Sequence, residues 1–122
     1  MWSWFKHGNL ETKDGESWAE GIGQMRVTKN LEGIFMDDAY RIEDQAALTI
    51  VQHLLKEEGL FVGLSSGINI AGAVRLARAR GPGQVITTLL CDSGVRYLSK
   101  LFNRDWLKAH QLDPDLPLES VL

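Results

Sequence analysis

The run Val85-Ile86-Thr87-Thr88-Leu89-Leu90-Cys91 constrains the fold of this chain more than any other feature. Apolar and β-branched residues follow one another there without clean polar alternation, the pattern of a strand covered on both faces. Such a strand belongs in a parallel sheet, and parallel strands need crossover helices between them. Sequence of that kind precedes the run. Ala39-Tyr40-Arg41-Ile42 reads as a short strand, Ala47, Ile50, Val51, Leu54 and Leu55 follow helical spacing, and Gly59 is placed to stop that helix. Leu60-Phe61-Val62 is a second short strand bounded by glycines. Ser65 or Ser66 is expected to cap a further helix with Ile70, Ala73, Val74 and Ala77 on its apolar face, ended by Gly81-Pro82-Gly83. The expected fold is therefore α/β, in βαβαβ order around a mainly parallel sheet.

Residues 1–36 mix aromatics, polar residues and glycines without sustained periodicity and read as a largely irregular lead-in. Residues 37–107 hold the βαβαβ core and two terminal helices, one around Tyr97 to Phe102 and one around Trp106. Residues 108–122 form a tail in which Pro114 and Pro117 disfavour regular structure.

At 122 residues, 44% hydrophobic and 24% charged, the chain has the size and balance of one globular unit. Its net charge of -3 comes from interspersed acidic and basic residues, which disfavours nucleic acid as a partner. Arg75, Arg78 and Arg80 do cluster, but at a helix end where cations suit the helix dipole. Cys91 is the lone cysteine, which excludes an internal disulfide, and it gives no metal-ligand spacing with His7, His53 or His110. Its place in an apolar strand favours core packing over nucleophilic chemistry. A reducing cytoplasm fits. No apolar run approaches the roughly 18 residues that span a bilayer, and the stretch from Met1 to Lys6 is too short for the apolar region of a signal peptide. No membrane association is expected.

Three glycine and serine motifs carry what chemistry the sequence offers. Gly21-Ile22-Gly23 is only a GxG; Arg26 stands where a dinucleotide fingerprint needs glycine, so the residues read first as a turn with positive backbone angles. Gly63-Leu64-Ser65-Ser66-Gly67 matches G-x-S-x-G, with Asp92 and His110 following in the order of a hydrolase triad. The strands and amide loop that such a fold places upstream have no room before it, and a helix cap with glycines for close backbone approach accounts for the same residues. Asp92-Ser93-Gly94 follows the third strand, where open α/β sheets bind ligands, yet Asp, Ser and Gly also suit a local turn there.

In combination, Glu20-Gly21-Ile22-Gly23-Gln24, Glu58-Gly59-Leu60-Phe61-Val62-Gly63, Ser65-Ser66-Gly67-Ile68-Asn69 and the stretch from Leu90 through Cys91-Asp92-Ser93-Gly94-Val95-Arg96-Tyr97 to Asn103 resemble the cysteine synthase family in order and spacing. The resemblance runs from about Trp4 to about Leu107 and corresponds to roughly the last third of a family member. It implies part of the three-layer sandwich of a fold type II pyridoxal-phosphate enzyme, and a reaction replacing the acetate of O-acetylserine with sulfide. It also implies a homodimer, a small amino-acid substrate and a cytoplasmic setting. Cystathionine β-synthase, another β-replacing enzyme of this fold, stays open, as does a noncatalytic docking or structural fragment.

Site residues follow from the same resemblance. Ser93 matches the family serine whose hydroxyl hydrogen-bonds the pyridine nitrogen of pyridoxal 5'-phosphate. Asp92 is adjacent, but neighbouring side chains in a strand point to opposite faces. Gly21, Ile22 and Gly23 match a loop at the entrance to the active site. Met25 and Leu64 depart from the family pattern, a departure that would either narrow the pocket or mark relaxed selection. The Schiff-base lysine and the phosphate loop of the family have no counterpart here, since none of Lys6, Lys13, Lys29, Lys56, Lys100 or Lys108 stands in a matching motif. The chain alone is therefore expected not to catalyse.

Overall fold

In the computed structural model, residues 2–11, 17–22 and 26–122 are described. They fall into two compact units, Met1–Arg41 and Ile42–Leu122. In the first, a short helix α1 (Trp2–His7) stands within the stretch expected to be irregular. Ser3 is its buried residue, and its hydroxyl accepts from the Glu11 amide at 3.1 Å. Lys6 pairs with Asp38 across the same unit.

The second unit is built on two helices. α2 (Asp44–His53) begins where the spacing of Ala47, Ile50 and Val51 predicts, and all three are buried. It widens into a π turn over Leu54–Glu58 and stops at Gly59, whose left-handed backbone (φ 69°) closes the cap as expected. Residues 46–51 are buried on every side of the helix, so α2 is the axis of this unit. α3 (Leu64–Arg80) packs along it and ends at Gly81. Crossing is close because Gly67 has no side chain: a Cβ there would stand 2.4 Å from the Ala47 carbonyl oxygen. The buried face of α3 is Leu64, Gly67 and Ala71, and the larger face expected to be apolar, Ile70, Ala73, Val74 and Ala77, is half-buried to exposed. Small residues won the helix contact because they let the two backbones approach, which larger side chains forbid.

Two further corrections concern caps and strands. Ser65 and Ser66 lie inside the first turn of α3, both buried, and Gly63 is the capping residue. Among the described residues there is no βαβαβ sheet: residues 39–42 and 85–91 form no ladder, and the β pairing present is one antiparallel bridge between Val62 and Ser93. The run 85–91 is open to solvent, with Val85 97% and Leu89 73% exposed. A strand exists only through neighbours that take its N–H and C=O groups, and no described residue lies beside this run as a strand. Side chains of α3 hold it instead. Ser66 Oγ accepts from the Cys91 amide at 2.9 Å, and Asn69 Nδ2 donates to the Leu89 carbonyl at 3.0 Å. Cys91 is consequently exposed, not packed in the core.

The chain after residue 93 folds back on α2. A 3-10 turn (Gly94–Tyr97) and further turns over 98–102 replace the helix expected around Tyr97, and Gln52 Nε2 donates to the Leu101 carbonyl at 3.1 Å. α4 (Arg104–Ala109) is capped by Asn103, whose Oδ1 accepts from the amides of Asp105 and Trp106. The tail is strapped down: Gln45 donates to the Asp113 carbonyl at 2.8 Å and accepts from its amide at 2.9 Å.

Candidate functional site

Ser93 sits where two extended segments meet. The Gly63 amide donates to the Asp92 carbonyl at 3.1 Å and the Gly94 amide to the Phe61 carbonyl at 3.0 Å, so the pair brackets the Val62–Ser93 bridge. Alternation along that short pairing sends Asp92 and Ser93 to opposite sides. Asp92 is half-buried, its Oδ2 accepting from the hydroxyl of buried Tyr97 at 2.6 Å. Ser93 is exposed, and its Oγ accepts from the Val95 amide at 3.3 Å, capping the following 3-10 turn. A hydroxyl has one proton to give and two lone pairs. With one lone pair engaged by Val95, the exposed Ser93 hydroxyl still has its proton to donate.

An exposed hydroxyl of this kind is able to donate to an acceptor such as a ring nitrogen. Among the described residues no group of His, Cys, Asp and Glu is gathered as metal ligands.

Glycine is required beside the site. A Cβ on Gly63 would stand 2.2 Å from Asp92 Oδ1 and 2.5 Å from the Tyr97 ring, so the start of α3 approaches the Asp92 carboxylate as no other residue would allow. Leu64, expected to narrow a pocket, is 1% exposed and belongs to the core. Gly21 adopts the positive backbone angle read from the sequence (φ 79°), and both it and Ile22 are exposed. They lie in the first unit; Gly23 and Met25 lie outside the described residues.

The hydrolase triad does not assemble. Ser65 is 6% exposed within α3, Asp92 is taken by Tyr97, and His110 stacks on Trp106 at 3.9 Å with Nδ1 2.7 Å from the Trp106 carbonyl oxygen. The close approach expected of the glycines in Gly63-Leu64-Ser65-Ser66-Gly67 is met at Gly63, and Tyr97 is the residue around the site that reading the sequence did not single out for a role. The pattern Asp92 to Tyr97, spanning one turn after a strand, was the available signal.

No family model matches the chain. Among curated proteins, cysteine synthase 2 of Schizosaccharomyces pombe is 40% identical over 114 residues, covering 92% of this chain and 29% of that protein. The cysteine synthase of Dictyostelium discoideum is 44% identical over 101 residues, 83% of this chain and 27% of its own length. Over the length they share, this chain belongs to the cysteine synthase family. A cystathionine beta-synthase of D. discoideum matches less of it, 38% identical over 72% of the chain and 18% of that protein. The chain thus spans less than a third of the length of these cysteine synthases.

Proposed function

We propose that this chain forms the C-terminal wall of the cofactor site of a cysteine synthase, with Ser93 donating its hydroxyl proton to the pyridine nitrogen of pyridoxal 5'-phosphate. The observation that carries the reading is the exposed Ser93 hydroxyl, its proton uncommitted by the bond it accepts from Val95, beside a carboxylate engaged by Tyr97. The whole enzyme would take O-acetylserine and sulfide to cysteine and acetate in a reducing compartment, as a dimer. The cofactor's ring, when bound, supplies an electron sink. A neutral hydroxyl at its nitrogen keeps that sink weaker than a carboxylate would, which favours loss and replacement of a β-substituent over transamination. Cysteine synthases cover more of this chain than the cystathionine beta-synthase does, which favours sulfide as the nucleophile.

The segments at 39–42, 60–62 and 85–91 become strands of a mainly parallel sheet when the remaining two-thirds of such an enzyme lies against them. Supporting this, Val85, Leu89 and Leu90 leave apolar surface in water that a flanking layer would cover. Gly21 and Ile22 would line the entrance.

The test is reconstitution. This chain, mixed with a cysteine synthase shortened by the matching stretch, should restore the visible absorbance of bound cofactor and cysteine formation, while the chain alone with pyridoxal phosphate gives neither. Ser93→Ala should lower the reconstituted rate about tenfold or more, the size expected for one charge-assisted or polarising hydrogen bond. A rate unchanged by Ser93→Ala would sink the reading.

A further inference from the structure

The feature this reading leaves unused is Asp92. One oxygen, Oδ2, accepts from Tyr97; the other, Oδ1, is buried with no hydrogen-bond partner. Leaving a carboxylate oxygen dry and unpaired is costly, and a smaller or apolar residue would avoid it. What stands against Oδ1 is Gly63, the capping residue of α3, and this 17-residue helix has no side-chain cap of its own. The amino end of a helix carries unpaired N–H groups and partial positive charge, which favours a nearby anion even without a direct bond. Tyr97, only 3% exposed, closes the other side.

The consequence concerns register. Asp92 and Ser93 are neighbours on a segment paired through two backbone hydrogen bonds only, and a slip of one residue would exchange them, putting a carboxylate where the hydroxyl now points. Such a pairing is weakly specified by its backbone alone. We propose that Asp92 is a positioning residue, a charged latch between Tyr97 and the amino end of α3 that fixes the register in which Ser93, not the carboxylate, faces outward. Its relevance to the cofactor rests on the role proposed above for Ser93; the latch itself does not.

Amide hydrogen exchange on the intact 122-residue chain tests it. Tyr97→Phe and Asp92→Asn, which both keep the shape of the side chain, should each speed exchange at Gly63 and Gly94 about tenfold or more, with Ile50 and Val51 in α2 unchanged. Ser93→Ala should speed Val95 alone, because the Gly63 and Gly94 amides donate to backbone carbonyls. Exchange that is unaltered in both latch variants, or that rises equally in α2, would overturn the latch and leave Asp92 an ordinary packing residue. Should Asp92→Asn not fold, Tyr97→Phe carries the same comparison. The two readings fail separately: reconstituted activity indifferent to Ser93→Ala removes the cofactor role, whereas undisturbed Gly63 and Gly94 amides remove the latch.

Discussion

At the scale of single residues, one glycine and one exposed ion pair illustrate how differently contacts weigh. Gly63 admits Asp92 Oδ1 and the Tyr97 ring into space that a methyl group would fill. Gly63→Ala should therefore cost about 1–3 kcal/mol, the range for overpacking a tight contact, measured by urea unfolding. Asp115 is the opposite case. Arg104 donates to it at 2.8 and 3.2 Å and Lys56 lies 3.4 Å away, all at the surface. The hydrogen bond from Arg104 holds the Asp115 carboxyl below its ordinary range. A carboxylate depressed in this way adds stability above its unfolded pKa and loses it as pH falls through the lower folded one. Asp115→Asn should thus narrow the difference between melting temperatures at neutral and acid pH, by a small amount that salt erases. An unchanged difference would show that the pair contributes nothing.

At the scale of elements, the α2–α3 contact decides the second unit. Glycine in a helix is worth roughly 1 kcal/mol less than alanine, so Gly→Ala on α3 should stabilise wherever space allows. Gly72 has nothing within 4 Å of its would-be Cβ, and Gly72→Ala should raise stability by up to about 1 kcal/mol. Gly67→Ala has the same propensity gain but drives a methyl into the Ala47 carbonyl, and should destabilise by about 1–3 kcal/mol. Thermal melts of the pair check both signs at once. If the two variants moved together, helix propensity and not close approach would govern this helix.

At the scale of the whole molecule, the run 85–91 is fastened at one end by Ser66 and Asn69 and faces solvent along its apolar side chains. Leu89→Lys should leave the stability of the isolated chain within about 0.5 kcal/mol, as an exposed substitution does. The same change should abolish reconstitution with the rest of a cysteine synthase, since a lysine would then be buried between layers. Assaying both on one preparation separates a surface effect from a folding effect.

Local signals carried as far as local physics reaches. Helical spacing at Ala47, Ile50 and Val51, the stops at Gly59 and Gly81, and the opposite facing of Asp92 and Ser93 were legible because each depends on residues a turn or less apart. The cap of α3, its buried face and the fate of 85–91 were not, because each depends on what lies across from it. Gly63 caps because Asp92 crowds it, Gly67 is buried because Ala47 is near, and a β-rich run becomes a strand only beside another strand. Sequence alone therefore determined which residues are able to form helices, turns and an outward hydroxyl. Tertiary structure decided which of those faces is covered, since burial and backbone pairing are properties of two segments together and are written in neither one.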